Sequence, residues 1–134
     1  MIEKTLSIIK PDAVERNLVD NIKSIFAKNN LSVKDSKKIH ISKEEASEFY
    51  KVHQSKPFYD ALCSYLSSGP IFVMILEGEN AISENRKIMG ATNPKDSEPN
   101  TIRKLYGISI DKNSVHGSDS LENAKKEINF FFKN

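Results

Sequence analysis

The sequence predicts an α+β sandwich of the βαββαβ type, an antiparallel sheet with helices on one face. Three observations predict it. Four short β-branched or apolar runs are separated by segments of helical period, within a length of 134 residues that fits one compact domain, 1–134. Two helical segments follow each other between Ser42 and Ser67, where a doubly wound parallel sheet would alternate strand and helix. No repeat, low-complexity tract or linker divides the chain.

The first strand is expected at Lys4 to Lys10, central because Ile8 and Ile9 are both apolar, and stopped by Pro11. Asp12-Ala-Val-Glu15 has the spacing of a capping box. A helix follows, with Val14, Leu18, Ile22, Ile25 and Phe26 at helical spacing and Asn29 and Asn30 as a left-handed stop. Leu31 to Ile41 is a polar, partly exposed second strand. Ser42-Lys-Glu-Glu45 opens a helix through Ala46, Phe49, Tyr50 and His53. Pro57 suits the first turn of the next, which Ser67-Ser-Gly-Pro70 ends.

Ile71 to Leu76 is a buried third strand. Gly78 and Asn80 turn the chain into a helix that Gly90 closes. A loop with Pro94 and Pro99 leads to a short helix at Thr101 to Tyr106. Val115 and His116 end the last strand. Asp119-x-x-Glu122 resembles a capping box ahead of a helix lined by Leu121, Ala124, Ile128 and Phe131.

A formal charge of +2 gives no electrostatic footprint for nucleic acid. The N-terminus lacks a signal-peptide core, and no apolar run approaches the roughly 20 residues of a membrane span. The single Cys63 has no partner for an internal disulfide, so a cytoplasmic location is expected.

Chemistry centres on Asn113-Ser-Val-His-Gly-Ser-Asp-Ser120. A histidine on a tight turn before a helix is held firmly and exposed on one side. Its imidazole can attack phosphorus and later leave. Lone histidines are more often structural, and turn and cap chemistry alone accounts for Gly-Ser-Asp-Ser. Lys10, Arg86 and Arg103 each stand beside structure-breaking residues, with Thr92 and Asn113 nearby in sequence. Phosphoryl transfer needs cations and donors around the equatorial oxygens. Singly each cation reads as a solvated surface charge, and no spacing rule makes them converge. Phe58 fits either a stacking platform or a helix core. Glu127 reaches His116 only if the histidine strand runs back alongside the last helix; otherwise it lies on a solvated face. His40 and His53 read as surface or packing residues. There is no P-loop, no Asp-Phe-Gly or His-Arg-Asp, and no carboxylate cage for a metal.

Thr5-Leu-Ser-Ile-Ile-Lys-Pro-Asp-Ala-Val14, Tyr50-Lys-Val-His-Gln-Ser-Lys-Pro-Phe58, Ser68-Gly-Pro-Ile71 through Glu77-Gly-Glu-Asn-Ala81, Arg86-Lys-Ile-Met-Gly-Ala-Thr-Asn-Pro94, Thr101-Ile-Arg103 and the histidine stretch occur in this order. Together they resemble the nucleoside diphosphate kinase family almost end to end. The resemblance implies a ferredoxin-like βαββαβ sandwich and transfer of a γ-phosphate through a phosphohistidine on His116, with broad base and sugar specificity. It implies that Lys10, Arg86, Thr92, Arg103 and Asn113 bind phosphates and ribose, and that Phe58 stacks on the base beside Leu62 and Ile110. Tyr50, Ser118 and Glu127 would support the histidine or the transferred group, and Asp119 would reach Mg²⁺ through water. Nucleoside tri- and diphosphates, with ATP as donor, and a homo-tetramer or homo-hexamer are the partners implied. The sequence departs from the family pattern at Lys104-Leu105-Tyr106, and at Asn17, Asp20 and Asn100 where glycines are frequent. Rival readings are a phosphohistidine relay protein, which would be largely helical, and a nucleic-acid-binding protein, which the charge disfavours.

Overall fold

The computed structural model describes residues 2–110 and 112–132. Strand β1 (Ile2–Ile9) is followed by helices α1 (Pro11–Glu15) and α2 (Val19–Lys28), then by β2 (Ser32–Ile39). Helix α3 (Lys43–Phe49), a 3-10 turn at Lys51–His53 and α4 (Tyr59–Leu66) lead to β3 (Ile71–Glu79) and α5 (Ala81–Met89). A 3-10 turn at Pro94–Asp96, α6 (Ile102–Tyr106), β4 (Val115–Gly117) and α7 (Leu121–Phe131) complete the chain.

The four strands form one sheet in the order β2-β3-β1-β4, with every neighbouring pair antiparallel. This is the ferredoxin-like α+β arrangement. β1 is central, as its apolar sequence requires, and pairs with β3 from Ile2↔Glu79 to Ile9↔Phe72. Its other edge holds β4, with Ile8 opposite His116 and Ser7 opposite Gly117. β2 forms the far edge, is exposed over much of its length, and slips register between Val33 and Asp35.

The helices cover both faces of the sheet, not one as the sequence predicts. Ile9, Met74, Leu76 and Val115 pack against Ile22 and Phe26 of α2, Ile88 and Met89 of α5 and Ile102 of α6. Leu6, Ile8, Ile71 and Val73 pack against Ala46 of α3, Cys63 and Leu66 of α4 and Phe131 of α7. Alternate residues of a strand point to opposite faces. A central strand apolar at both parities, such as Leu6-Ser-Ile-Ile9, therefore needs cover on each side.

Local chemistry corrects several expected boundaries. The predicted first helix is two helices, broken at Asn17 with φ 59°. Asn17 and Asn100 (φ 69°) stand where glycine is frequent in the family pattern and keep the left-handed backbone, which asparagine tolerates better than other side chains. Asp20 lies inside α2 and meets no such demand. Asn30 is left-handed at φ 65°, as predicted.

Asp12 does not cap α1. Lys10 occupies the N-cap position without capping the helix through its side chain, and Pro11 begins the helix. The Ser42–Glu45 box is present, with the Ser42 hydroxyl accepting from Glu45 N at 3.1 Å and Glu45 accepting from Ser42 N at 3.0 Å. Phe58, not Pro57, sits at the start of α4. The cap of α7 is Ser120, accepting from Asn123 N at 3.1 Å; Asp119 lies one residue outside it.

Candidate active site

β4 presents His116 on the face covered by α7, because the pairing with β1 sets it opposite Ile8. Glu127 lies in the second turn of that helix. Its Oε1 accepts from His116 Nε2 at 2.8 Å and from Ser118 Oγ at 3.0 Å. The strand thus runs back alongside the helix, the condition the sequence left open. Ser118 is itself held by Leu6, whose backbone N–H donates to Oγ at 3.3 Å. A carboxylate beside Nε2 selects the tautomer with the proton there and leaves the lone pair on Nδ1. Phe49 and Tyr50 of the α3 end bracket the ring, with centroids 5.3 and 6.4 Å away. Burial, then the nearby Glu127, raises the Tyr50 phenol above its usual range, so it remains a hydroxyl donor.

The cations arrive from other elements. Lys10 leaves the end of β1, and its Nζ donates to Asn113 Oδ1 at 3.0 Å. The Asn113 amide in turn donates to Thr92 O at 3.0 Å. Arg103 of α6 is buried, its two terminal nitrogens donating to Gly90 O at 3.0 Å and Val115 O at 2.9 Å. Burial first, and then the charge of Arg86, push the Arg103 guanidinium down to about 10. Arg86 is exposed in the last turn of α5. A buried cation whose charge is disfavoured by a second cation nearby makes a site poised for an anion.

These groups line one cleft of about 710 Å³. Lys10, Arg86, Thr92, Arg103 and Asn113 line it together with His116, Tyr50 and Glu127. Phe58, 44% exposed, stands on the wall with Leu62 and Ile110. Asp119 is an exposed carboxylate on the same cleft, held below its usual range first by the Asn123 amide, which donates to it at 2.6 Å. Ser118 alone of the predicted set is off the wall; it lies buried and acts through Glu127.

Sequence reasoning missed several wall residues, His53 and Phe49 among them. His53, read as surface or packing, lines the cleft between Tyr50 and Phe58, with ring centroids 6.2 and 6.1 Å away. Its position three residues after Tyr50 was the available signal. Phe49, read only as a helix position, meets the imidazole edge-on. Among the described residues no group of three or more His, Cys, Asp or Glu side chains gathers to hold a metal.

The sequence model described as nucleoside diphosphate kinase matches residues 3–134. A nucleoside diphosphate kinase from a Nitratiruptor species is 55% identical over 131 residues, 98% of this chain and 96% of the relative. One from Campylobacter concisus is 56% identical over the same shares of the two chains. The crystal structure of the Aquifex aeolicus nucleoside diphosphate kinase superposes with a TM-score of 0.97 at 39% identity, covering 100% of this chain and 97% of that one. The Encephalitozoon cuniculi enzyme, in its apo cubic form, gives 0.95 at 37% identity, covering 98% and 90%. With its sheet order, its histidine cleft and these relatives in agreement, the chain belongs to the nucleoside diphosphate kinase family.

Proposed function

We propose that the chain, acting as one domain over residues 1–134, carries out ping-pong phosphoryl transfer from a nucleoside triphosphate, ATP as donor, to a nucleoside diphosphate. The observation that carries this reading is the 2.8 Å bond from His116 Nε2 to Glu127. In the first half-reaction Nδ1 attacks the γ-phosphorus. A P–N bond forms, the bond from phosphorus to the bridging oxygen breaks, and the diphosphate leaves with the electron pair. The imidazole keeps its Nε2 proton, and Glu127 stabilises the positive charge that develops on the ring. The second half-reaction reverses these steps with another diphosphate as acceptor.

Lys10, Arg86 and Arg103 neutralise the spreading phosphoryl charge, with donors from Thr92, Asn113 and the Tyr50 hydroxyl around the phosphates and sugar. Phe58, exposed on the cleft, offers its π-face to any base, from which broad base and sugar specificity follows. A preference for one base beyond about 100-fold would sink the stacking account. The exposed Asp119, with Glu127 bonded to His116 and Ser118, fits a Mg²⁺ ion carried chiefly by the nucleotide phosphates. A bound Mg²⁺ would neutralise phosphate charge, and Asp119 would hold its hydration shell. A cytoplasmic homo-tetramer or homo-hexamer completes the reading; among the described residues no helix is long and apolar enough to cross a membrane.

The test is a two-step transfer. Protein incubated with γ-labelled ATP and Mg²⁺ acquires acid-labile, base-stable label, and a different nucleoside diphosphate then removes it as triphosphate. His116→Ala acquires none. Label that enters but does not leave to any diphosphate would point to a relay protein, and no label on folded protein would overturn the enzymatic reading.

A further inference from the structure

Asp12, which the sequence assigns to helix capping, lies buried where four segments that build the cleft meet. The Tyr65 hydroxyl donates to Asp12 Oδ1, and the Asp12 backbone N–H donates back to the Tyr65 oxygen at 2.9 Å. Asp12 Oδ2 accepts from Ser114 Oγ at 3.0 Å and from an Arg16 terminal nitrogen at 3.1 Å. The same Arg16 nitrogen donates to Tyr106 O at 2.6 Å, which brings in the end of α6. Lys10, two residues earlier, donates its backbone N–H to Ser114 O at 2.8 Å.

Each partner is a lever on a different part of the site. Tyr65, itself on the cleft, belongs to α4, the helix that has Phe58 at its N-cap and carries Leu62. Ser114 holds a left-handed backbone at φ 75°, between Asn113 and the strand that presents His116. A left-handed non-glycine residue persists only where its surroundings over-determine it, and the Ser114 hydroxyl and carbonyl are both taken up by this junction. Burial, then the bond to Asp12, raises the Tyr65 phenol, so it stays a donor across the working pH range. A satisfied buried polar network of this kind is stiff.

We propose that Asp12 is a positioning residue for phosphoryl transfer. Through Tyr65 it holds the helix that presents the nucleotide platform, and through Ser114 it holds the strand that presents His116. Both are thereby kept at a fixed separation from Lys10. The inference rests on the transfer reaction proposed above.

The test uses Tyr65→Phe, which deletes one oxygen, Ser114→Ala, which deletes the other bond without adding bulk, and Asp12→Asn. Steady-state KM and the single-turnover rate of histidine phosphorylation at saturating ATP are measured for each, with the thermal midpoint. Tyr65→Phe is expected to raise KM by about tenfold and to change the single-turnover rate by less than about threefold. Ser114→Ala is expected to do the reverse, slowing phosphorylation by about tenfold with KM within about threefold of the parent. Asp12→Asn shows both defects, and the Tyr65→Phe/Ser114→Ala double variant is no worse than Asp12→Asn. Asp12→Asn with parental KM and rate would overturn the proposal. So would Tyr65→Phe and Ser114→Ala losing KM and rate together in proportion to their loss of thermal midpoint. If the parent itself transfers no phosphate, it is the proposed reaction that fails, before any variant is compared.

Discussion

At the scale of single residues, the proposed reaction asks some groups to touch substrate and others to aim them. Glu127 accepts from the ring of His116, and under the proposed transfer it stabilises the charge that develops there. Glu127→Gln retains an oxygen for the ring N–H but loses the negative charge. Its turnover is expected to fall about ten- to a hundredfold with KM nearly unchanged, read from initial rates. Arg103 carries a pH signature. Its folded value of about 10 lies below the usual guanidinium range, so the fold disfavours its charge. Below about 10 the folded state bears that cost in full, and stability gains as pH rises from there toward the unfolded value. Polyphosphate affinity runs the other way, because the discharged group no longer attracts anions. Calorimetric titration with a nucleoside diphosphate should therefore weaken through pH about 10, and Arg103→Gln should lack that increment.

Residue roles were legible from the sequence where a role depends on neighbours along the chain, and obscure where it depends on neighbours in space. The Ser42–Glu45 box is a local pattern and formed as read. Asp12 has the same local pattern, but Tyr65, 53 residues away, and Ser114, 102 residues away, claim its carboxylate. The convergence of Lys10, Arg86 and Arg103 likewise had no spacing to announce it; only the family resemblance carried that expectation.

At the scale of elements, the seat of His116 depends on how closely α5 lies under β4. A Cβ placed on Gly117 would stand 2.3 Å from the Asn85 amide nitrogen and 2.9 Å from Met89 Cε. Asn85 is wholly buried, so its amide has little room to retreat. Gly117→Ala is expected to cost about 1–3 kcal/mol, measured as a drop in denaturant midpoint. It is also expected to reduce transfer, because the strand that moves is the one bearing the histidine. The hydrophobic pattern located all four strands and the order of the helices. It did not reveal that the helices divide between two faces, since a run apolar at both parities reports burial and not what provides it. The break at Asn17 was hidden for a related reason: Val14, Leu18 and Ile22 keep a helical spacing across a turn that is not helical.

At the scale of the molecule, the cleft gathers side chains from both ends of the sequence, from Lys10 to Glu127. A ligand that bridges them stabilises the native state and has no counterpart site in the unfolded chain. At about 100 times its dissociation constant, a nucleoside diphosphate should add about 2.7 kcal/mol to unfolding. A thermal-shift series should show the gain in parent and in His116→Ala alike, because the proposed role of His116 lies in transfer and adds little to binding. Light scattering will give the subunit count, where a monomeric mass would overturn the expected homo-oligomer.

His116 stands on a strand of three residues at the rim of the sheet, laddered among the described residues to β1 alone. Its amides have one row of partners to lose before they meet solvent, whereas those of β1 sit between two. Deuterium exchange should thus find β4 opening by small local fluctuations well below the free energy of global unfolding. Under the proposed transfer, phosphorylated and unphosphorylated protein should differ in how slowly this one short segment takes up label.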